Sequence, residues 1–231
     1  MKLTIKTLVL STATFGLMLG VAQNSQAATL IPGVTADLDS IQTQWDINDT
    51  VNGNGLPSNT PSLTGDHVPS QNSNSWRSAI LTNTQGTTIP LGTITFNLNG
   101  GYNLSGFTFW NLGNMTQELA NQGIKNVTIE YSNNGGTTWS NLIGAPTSFA
   151  QGLVGTASLP QPPQQFSFTS VAATHVRFTN LSNFGGFNTP STSNRIGFSE
   201  IQFAGTKIPE PSSLLALLAF GLAGVSLGKR I

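Results

Sequence analysis

The sequence predicts an all-β chain built as a sandwich of antiparallel strands, and three observations carry that prediction. From Gly92 onward apolar and polar side chains alternate with a period of two. Clusters of Asn and Gly separate the alternating stretches, and only Met115–Gln122 has room for a helix, a short one. Ile94, Phe96 and Leu98 share one face, with Thr93, Thr95 and Asn97 on the other. Phe107 and Phe109 continue the pattern within Leu104–Asn111. Val127, Ile129 and Tyr131 follow, then Val176 and Phe178 within Thr174–Leu181. Asn99-Gly100-Gly101 and Asn133-Asn134-Gly135-Gly136 supply turns between these half-buried strands. Residues 46–75, rich in Asn, Gly, Pro and Ser with little apolar periodicity, read as long loops.

The last strand breaks its own pattern. Ile196, Phe198 and Glu200 have one parity, while Ile201 and Phe203 have the other. Either Glu200 faces the side that holds Phe198, or a β-bulge near Ser199 resets the alternation. A carboxylate turned inward needs a cation or an arginine, because an unpaired buried charge is costly.

Composition narrows the function classes. The 231 residues include no cysteine, so burial, hydrogen bonding or a bound ion must hold the fold. Between residues 28 and 205 the bases are Arg77, Lys125, Arg177 and Arg195 against eight acids, a net charge of −4. Such a surface offers no basic patch for nucleic acid or anionic lipid. Its polarity comes from Asn, Ser, Thr, Gly and Gln, which suits an uncharged or carbohydrate-rich setting. His67 and His175 are the only histidines, too few for an ordinary zinc site. No serine lies in a nucleophile-elbow motif, and the few acids sit mostly in turn-like sequence. The chain reads as non-enzymatic; a secreted glycan-active enzyme using a pair of those acids ranks third among the functional readings.

Both ends read as addresses. Lys2 and Lys6 precede an apolar stretch from Leu8 to Val21, and Ser25-Gln26-Ala27 presents small residues at the positions a signal peptidase reads. Cleavage after Ala27 is expected, with Ala28 as the second choice. Near the other end, Pro209-Glu210-Pro211 precedes an apolar run from Leu214 to Leu227 and the basic pair Lys229-Arg230. The uncharged stretch from Ser212 to Gly228 is near the lower limit for a spanning helix, and the basic pair marks a cytoplasmic flank. This order resembles the PEP-CTERM sorting signal of bacterial envelope proteins. The resemblance implies an exosortase as partner, removal of the tail near Pro209-Glu210-Pro211, and release or attachment at the cell surface. Until processing, the C-terminal helix would hold the chain in the membrane. An ordinary C-terminal membrane anchor is the alternative. The expected organisation is a signal peptide over 1–27 with an apolar helix, an N-terminal segment over 28–45, a β-sandwich over 46–205 and a sorting signal over 208–231.

Within the sandwich, several short motifs resemble the discoidin family, the coagulation factor 5/8 C-terminal type of galactose-binding-like domain. Ile47-Asn48-Asp49 with Asn52-Gly53-Asn54-Gly55 resembles its Asp/Asn-Gly loop, and Ser75-Trp76-Arg77-Ser78 the tryptophan motif that follows. Thr93–Leu98 resembles its first long strand, departing at Asn97-Leu98-Asn99 where the family often has Asp-Leu-Gly. Val127–Ser132 with Asn134-Gly135 and Trp139 is the closest piece. His175-Val176-Arg177-Phe178 and Ile196–Phe203, Glu200 included, match its last strands. The resemblance implies an eight-stranded antiparallel jelly roll whose loops at one end hold ligand, a sugar in many members, with Trp76 and Trp139 in the core. It also implies a structural Ca2+ held by Asp49 and Glu200, with Asn52 or backbone carbonyls of Asn52–Asn54 completing an oxygen shell. The alternative is that Asp49 caps a turn and Glu200 pairs with Arg177 or Arg195.

Sugar rings stack on aromatic faces, so exposed aromatics are the candidate contacts: Trp45, Tyr102, Trp110, Phe184 and Phe187. Trp110 has a second reading as a cover for the opposite sheet face. The loop Asn183-Phe184-Gly185-Gly186-Phe187-Asn188 places aromatics beside amides that hydrogen-bond hydroxyls without charge. Phe184, Phe187 and Asn188 are therefore the expected ligand-binding residues. The chain is expected to be an exported cell-surface or extracellular-matrix protein that binds exopolysaccharide. A purely structural or adhesive envelope protein is the alternative.

Overall fold

The computed structural model describes residues 29–81, 92–186 and 194–209. The signal segment and nearly all of the sorting tail, where apolar helices are expected, lie outside the described residues. Eight strands form the described part: β1 (Thr29–Leu30), β2 (Thr35–Asp39), β3 (Trp76–Arg77), β4 (Thr93–Asn111), β5 (Thr128–Ser132), β6 (Ser140–Asn141), β7 (Gln164–Thr179) and β8 (Gly197–Lys207). They are hydrogen-bonded in the order β1-β8-β4-β7-β5-β6, with β2 added to β4 and β3 to β8. Every pairing between these strands is antiparallel. One helix, α1 (Gln117–Asn121), falls within the stretch expected to be helical. Thr116 caps it by accepting from the Leu119 amide. Among the described residues no helix is long and apolar enough to cross a membrane.

A single hydrogen-bonded sheet becomes two layers because β4 serves both. Its first half pairs with β2 and the end of β7, and its second half with β8 and the start of β7. The pairing with β7 slips between Asn97 and Tyr102, where Asn99 and Gly100 have φ of 56° and 140°. Backbone in that region favours Asn and Gly, so the turn signal seen in the sequence becomes a bend inside a long strand.

The two halves then face each other across an aromatic core. Phe96, in the first half, packs against Phe198 and Phe203 of β8 at ring separations of 6.3 and 5.3 Å. Phe107, in the second half, lies 6.3 Å from Phe178 of β7. Phe149, from the connection after β6, stacks on Phe109 at 3.9 Å. All six strand aromatics are essentially buried, as are Ile94, Leu98 and Val176. The period-two pattern is thus the inner face of an antiparallel β-sandwich, the class expected from the sequence.

Two details depart from the expected layout. Residues 29–39, read from the sequence as part of a separate N-terminal segment, supply β1 and β2 and place Ile31 and Ala36 in the core. Their strands are too short for the alternation to stand out. On β8, Trp110 pairs with Glu200 but the next residue, Asn111, pairs with Phe198. Ser199 is therefore the extra residue of a bulge, the second of the two readings of this strand. The bulge lets Phe198, Ile201 and Phe203 all join the core and turns Glu200 and Gln202 to the outer face.

Candidate functional site

That outer face is not left to solvent. The long loop after residue 46 lies over it, held by side chains of β4 and β8 that reach loop backbone. Thr108 donates to the Leu63 carbonyl at 2.8 Å, Trp110 Nε1 to Gly65 at 3.0 Å and Gln202 Nε2 to Val51 at 3.1 Å. In return the Gly53 amide donates to Glu200 Oε1 at 3.1 Å. Gly53 has φ of 81°, and a Cβ there would stand 2.2 Å from the Pro61 nitrogen. Only glycine lets the chain turn this tightly and aim its N–H at the carboxylate. Trp110 is consequently buried, which removes it from the exposed aromatics and realises its second reading; Tyr102 is buried too.

Glu200 is fully buried. Its Oε1 accepts from Gly53 and also from Gln202, whereas Oε2 has no hydrogen-bond partner. Burial pushes the carboxyl up to about 8; the Gln202 and Gly53 hydrogen bonds work against this, and the charge of Asp49 adds to it. Neither arginine considered as its partner reaches it. Arg177 Nε pairs with Glu130 at 2.8 Å, and Arg195 bonds Gln44 and the Ser78 carbonyl. Asp49 is not the cap of its turn either; Asp46 accepts the Asn48 amide at 3.0 Å. Asp49 instead accepts from Asn52 Nδ2 at 3.2 Å, and Asn52 Oδ1 accepts the Asn54 amide at 2.8 Å. Among the described residues no three His, Cys, Asp or Glu side chains gather as a metal cluster. The donor set still fits a hard cation: Glu200 Oε2 is an unclaimed buried oxygen, Asp49 is near enough to act on it electrostatically, and the remaining donors of the loop are oxygens.

A second group of polar residues collects at one end of the sandwich. Trp45, half-buried, carries the Arg77 guanidinium 4.1 Å from its ring centre. Arg77 Nη1 donates to Gln122 Oε1 at 3.2 Å, just past the end of α1. The neighbouring Asn121 carbonyl accepts the Phe184 amide at 3.0 Å, and Lys125 Nζ stands 5.9 Å from the Phe184 ring centre. Asn183 Nδ2 donates to the Arg195 carbonyl at 2.7 Å, which joins the Phe184 loop to the segment just before β8. A chain of contacts thus runs from the expected contact Phe184 through Asn121 and Gln122 to Arg77 and Trp45, with Lys125 over the Phe184 ring. Phe187 and Asn188 lie outside the described residues. Sequence reasoning missed Arg77, Arg195 and Lys125 here because they are 48 or more residues apart in pairs such as Arg77 and Lys125. Their scarcity was the one available signal.

The remaining tryptophan of the resembling motifs, Trp139, is half-buried outside the aromatic core and lies under Arg177, 4.3 Å from its ring centre. The hydrophobic interior takes in Ile129 and Leu142 of the β5–β6 hairpin region but not Trp139, whose ring serves as a shelf for an ion pair. His67, which sits in a polar stretch of sequence, is buried; its Nδ1 and Nε2 face the Val68 and Asn54 carbonyls at 2.6 and 3.0 Å. Burial lowers its pKa despite those carbonyls. His175 Nδ1 contacts Thr174 Oγ1 at 3.0 Å. Beside His67 an open cleft of about 600 Å³ runs between Asp66, Val68, Asn114, Met115 and Pro160.

Residues 207–230 match the PEP-CTERM protein-sorting motif. The motif marks the chain for export and sorting to the cell surface and implies processing by an exosortase. No curated protein sequence matches the chain. Among solved structures, it is similar to the family 32 carbohydrate-binding module of NanJ from Clostridium perfringens, solved with galactose. That likeness has 15% identity and a TM-score of 0.43 over 77% of this chain and 98% of the module. A second such module, from a family 31 glycoside hydrolase of C. perfringens, is 10% identical with a TM-score of 0.46, over 75% and 95% of the two chains. An F5/8 type C domain from Bacteroides fragilis is 12% identical with a TM-score of 0.41, over 79% and 97%.

Proposed function

We propose that this chain is an exported, surface-sorted carbohydrate-binding protein without catalytic activity, and that its ligand site is the sandwich end carrying Trp45 and Phe184. One observation carries this reading: two half-buried aromatic rings stand in one contact network with Gln122 and Asn121 on a chain whose sorting motif sends it outside the cell. Aromatic faces take the apolar side of a sugar ring, and amides bond its hydroxyls without requiring charge. The Phe184 loop continues into Phe187 and Asn188, which complete the proposed contact set. The proposed setting is an extracellular polysaccharide matrix, and the proposed ligand is the exopolysaccharide of the producing cell. Signal peptidase would remove residues 1–27, and the apolar tail would hold the chain in the membrane until an exosortase acts on it.

The loop over β8 has a supporting role in this reading. Glu200 and Asp49, with Asn52 or backbone carbonyls of Asn52–Asn54, would hold a structural Ca2+, which supplies positive charge to a buried carboxylate and fixes the loop.

Titration calorimetry of the full-length chain in mild detergent against that exopolysaccharide tests the function. Saturable heat that Trp45→Ala and Phe184→Ala each reduce at least tenfold is the expected result. No saturable heat from the unaltered chain would favour a structural or adhesive envelope protein. Release of reducing ends would favour an enzyme.

A further inference from the structure

The same end of the sandwich holds an unbalanced positive charge. Three of the four bases between residues 28 and 205, namely Arg77, Lys125 and Arg195, converge there in a region whose net charge is −4. The fourth, Arg177, is already paired with Glu130. Among the described residues neither Arg77 nor Arg195 forms an ion pair. Arg77 Nε is buried with no hydrogen-bond partner. Burial and then the charge of Arg195 lower the Arg77 pKa, and the exposed Glu118 on α1 is the acid whose field partly offsets this. Two guanidinium groups near enough to act on each other, with buried donor capacity unspent, form an arrangement that an anion would relieve.

We propose that this end of the sandwich recognises the carboxylate of an acidic saccharide, with Arg77 and Arg195 as its anion-binding residues. The inference rests on the carbohydrate-binding function and names the class of sugar. A planar carboxylate matches the fork of guanidinium donors, whereas a neutral sugar adds nothing to the partial offset that the exposed Glu118 gives both arginines. Trp45 holds Arg77 by stacking on it, and Lys125 stands over the Phe184 ring. Gln44 and the Ser78 carbonyl hold Arg195. A uronate unit would thus meet aromatic carbon beneath its ring and cationic nitrogen at its acid group.

The test measures binding of the full-length chain to immobilised pectate, alginate and hyaluronan, each beside a counterpart whose carboxyl groups have been reduced to alcohols. At least one acidic form should be bound, and its reduced counterpart at least tenfold more weakly. Arg77→Gln and Arg195→Gln should each weaken the acidic form at least tenfold, with an unchanged melting temperature for Arg195→Gln showing that the fold survives. Raising salt from 50 to 500 mM should weaken it too. Equal binding of acidic and reduced forms would overturn the carboxylate assignment and leave carbohydrate binding standing. Binding of dextran sulfate that neither arginine variant alters would mark a non-specific polyanion effect and overturn the site. Failure to bind any polysaccharide in either form would overturn both this inference and the function it rests on.

Discussion

The Gly53 amide donates to Glu200 Oε1 at 3.1 Å, closing a loop of 147 residues, while the other oxygen of the same carboxylate is buried with no partner. The bond secures a long, glycine-rich loop to the last strand. It leaves one buried acid half satisfied, and the fold is expected to respond to pH through it.

Glu200 holds its proton to about pH 8 in the folded chain, against 4.5 for an ordinary glutamate. Between those values the folded state binds the extra proton, so stability is fully present below about 4.5 and falls as pH rises towards 8. The total change is on the order of 5 kcal/mol. In chelator, urea denaturation of the full-length chain should give a lower midpoint at pH 8 than at pH 5, and Glu200→Gln should flatten that slope. An unchanged slope in the variant would assign the pH dependence to other groups.

Calcium acts on the ionised carboxylate, so its effect has the opposite pH preference. One millimolar CaCl2 should raise the melting temperature more at pH 8 than at pH 5, and Glu200→Gln or Asp49→Asn should remove the increment. Equal melting with calcium and with chelator at pH 8 would remove the cation from this loop.

Gly53→Ala should destabilise the chain by about 2 kcal/mol, since the left-handed backbone and the approach to Pro61 are both refused to a Cβ. The loop, rather than the aromatic core, should loosen first. Hydrogen exchange that speeds up over residues 51–65 and not over β4 would show this.

Phe96→Ala removes the ring that bridges the two layers and should cost about 3–5 kcal/mol. Loss of the cooperative urea transition, or its shift by that amount, checks it. A change below about 1 kcal/mol would mean that the layers are held elsewhere.

Replacing Pro209, Glu210 and Pro211 together by Ala should block removal of the tail. Intact mass measurement on the membrane fraction should then find the unprocessed chain, where the unaltered protein has lost the residues after the motif.

The sequence by itself determined the β class, the alternating core positions and the sorting tail. Each of these is local: a strand one face of which is buried must alternate, and an address must be readable along the chain. Ile94, Phe96, Phe107, Phe109, Val176 and Phe178 could be assigned inward from their neighbours alone. The tertiary structure decided what depends on meeting partners distant in sequence. The direction of Glu200 hung on one extra residue, Ser199, because a period of two cannot say where a bulge falls until the partner strand is known. Trp110 looked exposed until the loop at Gly65 covered it, and Trp139 looked buried until the core ended short of it. The convergence of Arg77, Lys125 and Arg195 had no sequence signature beyond their scarcity, since three separate stretches bring those charges together.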